Sequence, residues 1–126
     1  MTWTQLHDRM AFMAEVINAA ETNPEAALAL IDKSSEVSEL FGDEEGLMLS
    51  LSQRWITMLV AKLDQAAHEG APAEQVRADL EAAEPGLHAL VKIGARRSLR
   101  VRSLTRGEHV AVGLFGGPTG DRQTVA

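Results

Sequence analysis

The chain's 126 residues carry 12 lysines and arginines against 18 aspartates and glutamates, a formal net charge of −6, and 45% of them are hydrophobic. That size and composition suit one folded domain with its own apolar core, neither disordered nor so small that it needs covalent or metal staples. Cysteine is absent, which excludes a disulfide framework, a thiolate zinc site, an iron–sulfur cluster and a cysteine nucleophile.

Thr2 or Thr4 can cap a first helix running to about Ala20, with Leu6, Met10, Met13 and Ile17 on one apolar face and Phe12 and Val16 flanking it. Asn23-Pro24-Glu25 combines a capping side chain, a proline at the first helical position and an acid that complements the helix dipole. The pattern predicts a second helix from there to about Phe41, burying Leu28, Ile31, Val37 and Phe41. Gly42 then ends one helix and Asp43 begins the next. From about Glu44 to Glu69, Leu47, Leu51, Trp55, Met58, Leu59, Leu63 and Ala66 keep the helical period, giving a central helix roughly 40 Å long. Gly70 and Pro72 stop it, a fourth helix runs from about Ala73 to Ala83, and after Glu84-Pro85-Gly86 a fifth reaches about Ala95.

Beyond that point Ser98 to Leu104 alternates apolar and polar residues, as does His109 to Phe115, with Thr105-Arg106-Gly107-Glu108 between them. Two such runs around a glycine-containing loop predict a β-hairpin over about 98–115. Residues 116–126 have no apolar periodicity and are expected to form a disordered tail, leaving residues 1–115 as a single domain. The expected fold is therefore mainly α: an antiparallel bundle of four to five helices around the long one, with a C-terminal hairpin.

Charge is distributed unevenly. Residues 1–91 hold five bases and sixteen acids, a net of −11, whereas residues 92–126 hold seven bases and two acids, a net of +5. Arg96, Arg97, Arg100, Arg102 and Arg106 are accordingly the candidate contacts to nucleic acid or another anion. The competing structural reading docks this basic segment on the chain's own acidic helices.

Other chemistry is sparse. Histidines 7, 68, 88 and 109 include no pair at helix-ligand spacing, and no carboxylate is followed by a histidine in di-iron spacing, so no metal and no cofactor is expected. The glycine-rich run from Gly113 to Gly120 lacks the Gly-Lys-Ser/Thr ending of a phosphate loop, and no nucleophile elbow occurs. No constellation of residues names a reaction, so the chain reads as non-enzymatic, with an enzyme of unknown reaction as the remote alternative.

The order of helix four, the Glu84-Pro85-Gly86 turn, helix five and a basic hairpin resembles a winged helix-turn-helix, which implies a regulator whose second helix reads the major groove while the wing meets phosphate. Helix five has only His88 and Lys92 to offer base edges. The preferred expectation is a small protein-interaction module that forms a homodimer, because the long amphipathic helix promises more apolar face than its short neighbours cover. The N-terminal residues lack a basic leader before an apolar run, and no run approaches the ~18 apolar residues of a membrane span. A cytoplasmic protein without a membrane partner is the corresponding expectation.

Overall fold

Thr2 starts the first helix with a reciprocal cap: Gln5 N–H donates to Thr2 Oγ1 at 3.1 Å and Thr2 N–H donates to Gln5 Oε1 at 3.0 Å. The computed structural model describes residues 2–108, 110 and 113. Among them are seven helices and no strand: α1 (Trp3–Thr22), α2 (Pro24–Lys33), α3 (Glu36–Phe41), α4 (Glu44–Glu69), α5 (Ala73–Ala83), α6 (Pro85–Arg97) and α7, helical over residues 99–108.

The junctions follow local chemistry. Asn23, in extended conformation, closes α1 and opens α2, its side chain accepting from Glu25 N–H at 2.9 Å. Asp43 opens α4 by accepting from Gly46 N–H at 2.8 Å, and Gly70 ends it in the left-handed conformation at φ 75°. Losing one such cap costs about 1 kcal/mol. Asp43→Ala is therefore expected to lower the unfolding free energy by that amount, read as a lower urea midpoint with an unchanged slope.

One predicted helix divides in two. Residues 24–41 break at Ser34, which adopts extended backbone angles while its hydroxyl accepts from Glu36 N–H at 3.1 Å; Ser38 in turn donates to the Ser35 carbonyl at 3.1 Å. Adjacent serines offer the backbone these alternatives to helical bonds. The break lets α3 place Val37 in the core and bring the Phe41 ring to 6.1 Å from that of Phe12.

The predicted hairpin is corrected more deeply. Residues 99–108 are helical where the first strand and the turn were expected. Ser98 caps this helix, its hydroxyl accepting from Val101 N–H at 3.2 Å while it donates to Glu45 Oε2 at 2.6 Å. Val101, Leu104, Thr105 and Glu108 then share one helical face, with Val101 and Glu108 buried, and Leu99 turns outward at 72% exposure. The same few apolar residues satisfy both periods, and burial selects the helical one. Of the second predicted strand only residues 110 and 113 are described, both helical; the rest of it and the predicted tail, residues 116–126, lie outside the described residues.

In the core, α6 lies against α1, α2, α4 and α5, and α4 lies against α3, α5 and α6. Leu87, Leu90, Val91, Ile93 and Gly94 bury α6 on more than one side. Along α4, Leu47, Leu51, Trp55, Leu59, Leu63 and Ala66 are buried within the chain, Met58 is half-buried, and Val60 beside the stripe is exposed. The predicted α1 face is rotated instead: Phe12, Val16, Ile17 and Ala20 are buried, while Leu6 and Met10 are exposed. The inward direction is fixed by α2, α3 and α6, which pack on α1.

Candidate functional site

The five arginines singled out by charge are all exposed and meet different partners. Arg97 pairs with Glu44 at 2.8 Å and Arg100 with Glu45 at 3.3 Å, which ties the end of α6 and the start of α7 to the acidic first turn of α4. Arg102 folds back on the last turn of α6, its Nε donating to the Ala95 carbonyl at 3.1 Å. Arg106 is exposed, and among the described residues neither it nor Arg96 has a carboxylate partner. Arg96 lines a cavity.

That cavity, about 290 Å³, lies where α5, α6 and α7 meet over Trp55 of α4. Its organising group is Glu108, 5% exposed on α7. The indole Nε1–H of Trp55 donates to one carboxylate oxygen, and Arg77 Nη2 donates to the other at 3.1 Å. Trp55 is itself 1% exposed, so this is a buried acceptor meeting a buried donor, and each would be costly alone.

Arg77 Nε lies 3.5 Å from Glu81 Oε2, within ion-pair range but too poorly aligned to hydrogen-bond. His88 Nε2 is 3.6 Å from the same oxygen, and the His88 ring lies 5.2 Å from that of Trp55 at a 31° tilt. The helical period places His88, Lys92 and Arg96 in one row along α6, and all three line the cavity.

By sequence, Trp55 falls on the apolar stripe of the long helix, His88 among scattered histidines and Glu108 in a turn. Reading residues 98–108 as a helix would have revealed the signal, since Glu108 stands seven residues beyond Val101 on the same face. Among the described residues no three histidines or carboxylates cluster to hold a metal ion. A larger hollow of about 340 Å³ between the end of α4 and α5 mixes Lys62 with Glu69 and Asp79, and no buried polar group organises it.

A second feature is the N-terminal half of α1. Trp3, Leu6 and Met10 are 80%, 40% and 50% exposed, and their spacing aligns them along one stripe. Arg9 is held away from it, donating to Ser50 Oγ at 3.1 Å and lying 4.9 Å over the Phe41 ring. Among the described residues no helix is long and apolar enough to cross a membrane. No protein-family model, curated protein or solved structure matches the chain.

Proposed function

We propose that the chain is a non-enzymatic protein-interaction module of the cytoplasm, its helices forming one bundle that pairs with a second copy through the N-terminal half of α1. The exposed Trp3–Leu6–Met10 stripe carries this reading. Three large apolar side chains exposed in one row make the kind of contiguous apolar surface that marks an interaction site. Charge favours a second copy as the occupant. Residues 2–14 contain one acid, Asp8, and one base, Arg9, so this face is near neutral on a chain of net charge −6. Two copies meeting there avoid the like-charge repulsion that other faces would bring. A two-fold axis sets each stripe on its counterpart.

Full burial of an apolar side chain is worth about 1.5–3 kcal/mol, and association costs about 4–15 kcal/mol. Six such side chains, already partly covered, therefore support a dimer of micromolar or weaker affinity. Light scattering at rising micromolar concentration is expected to show the mass moving from monomer to dimer. The double variant Trp3→Asp/Met10→Asp should remain monomeric with an unchanged helical circular dichroism spectrum. A wild-type chain that stays monomeric at the highest concentrations, or a variant that dimerises equally well, would overturn the proposal.

Nucleic-acid contact through Arg96, Arg97, Arg100, Arg102 and Arg106 has less behind it. Arg97 and Arg100 already face carboxylates, and residues 99–108 present a helix where a wing would be needed.

A further inference from the structure

We infer that the cavity over Trp55 is a binding site for a small organic anion bearing a phosphate or carboxylate group. The site is built within one copy of the chain and does not depend on self-association. Its lining holds three permanent cations, Arg77, Lys92 and Arg96, against one carboxylate, Glu108. Both oxygens of that carboxylate are already engaged, by Trp55 and by Arg77. Glu81, the next acid, faces Arg77 and His88. Lys92 and Arg96 therefore stand at the cavity with no carboxylate within ion-pair distance among the described residues.

The remaining chemistry fits an anion. Thr105 uses its hydroxyl proton on the Val101 carbonyl at 3.3 Å, so the groups left to face a ligand are chiefly the cationic donors. The helical period sets Lys92 and Arg96 one turn apart on α6, close enough to grip one phosphate or carboxylate together. Val91 and Ala95 supply an apolar wall for the rest of the molecule. Glu108 accepts from Arg77 Nη2, which holds the guanidinium in place before any ligand arrives. A volume of about 290 Å³ lies at the small end of ligand pockets, which typically span about 300–1,000 Å³. A concave site of that size suits a small molecule, whereas a duplex needs cations spread along an exposed face.

Trp55 provides the readout. The chain has two tryptophans, so a Trp3→Phe background leaves Trp55 as the sole indole emitter. Titration with inorganic pyrophosphate and, separately, with citrate is expected to change its emission saturably in the micromolar to millimolar range. The relative affinity of the two probes distinguishes phosphate from carboxylate recognition. Lys92→Gln/Arg96→Gln in that background should weaken binding roughly tenfold to a hundredfold, the loss expected for charge-assisted hydrogen bonds. Arg106→Gln, which removes one positive charge outside the cavity lining, should leave it unchanged. The inference is overturned by the absence of saturable binding to either anion, by equal affinity in the double variant, or by binding of a short DNA duplex with none of pyrophosphate or citrate. Circular dichroism of the double variant separates loss of binding from loss of fold.

Discussion

Glu108→Ala is expected to destabilise the chain by about 3 kcal/mol, far more than substitution of an exposed acid. Two losses combine. The Trp55 indole N–H keeps its buried position without an acceptor, which costs about 1–3 kcal/mol. Arg77 loses the nearer of its two carboxylates. Removing one partner of a fully buried pair costs about 3–5 kcal/mol, but the Arg77 side chain is 22% exposed and retains Glu81, so only a part of that applies.

Glu108→Gln separates the two losses, because its amide oxygen can still accept from Trp55 while the charge facing Arg77 is gone. It should cost about half as much as alanine. Glu69→Ala, an exposed control, should stay within about 0.5 kcal/mol of wild type. Urea denaturation followed by circular dichroism measures all three. In a cycle with Trp55→Phe, the coupling to Glu108→Ala should exceed about 1 kcal/mol. Additive costs would mean that α7 does not hold its carboxylate on the indole in solution.

This dependence on α7 explains why the candidate site was hard to read in the sequence. The legible elements carry their own boundary chemistry. Asp43 and Gly70 bracket α4 at the expected residues, Asn23-Pro24 starts α2, and Pro72 and Glu84-Pro85 frame α5. Ser34 was less visible because a serine can sit within a helix or bond to neighbouring backbone and end it, and the apolar pattern is the same either way. Residues 98–108 contain only Leu99, Val101 and Leu104 as large apolar groups, too few to separate a period of two from one of 3.6. What decides between them is tertiary: Val101 is buried beside Gly94 and Met48, and Glu108 meets Trp55 53 residues away. The cavity likewise joins Trp55, Arg77, Lys92 and Glu108 from four helices, a juxtaposition that no local spacing encodes. Charge alone points to Arg96 but gives Arg97 and Arg100 equal weight, although both already face carboxylates on α4.

The same chemical change at two glycines of α6 should have very different outcomes. Glycine-to-alanine substitution on an open helix face stabilises by up to about 1 kcal/mol, because alanine has the higher helix propensity and loses less chain entropy. At Gly86 a β-carbon would lie 2.5 Å from the Ile17 carbonyl oxygen, 2.9 Å from the Glu21 backbone nitrogen and 2.6 Å from Glu21 Cγ. Two of these are backbone atoms of α1, so relief requires α1 and α6 to separate. Overpacking of this kind costs about 1–3 kcal/mol or somewhat more, and Gly86→Ala is placed at the upper end.

At Gly94 the added carbon meets Met48 at 3.2–3.3 Å and Val101 Cγ1 at 3.3 Å, all side-chain atoms. Small adjustments there offset the helix-propensity gain, and Gly94→Ala is expected within about 1 kcal/mol of wild type. Urea midpoints of the two variants test the contrast directly. A neutral or stabilising Gly86→Ala would mean that α1 stands further from α6 than these distances allow. The consequence would reach the proposed dimer face, because packing of the second half of α1 on α6 is what leaves Trp3, Leu6 and Met10 on the outer surface. In Gly86→Ala, a shift of α1 should therefore change the dimer affinity as well as the stability, whereas Gly94→Ala, whose added carbon meets Met48 and Val101 rather than α1, should leave dimerisation intact.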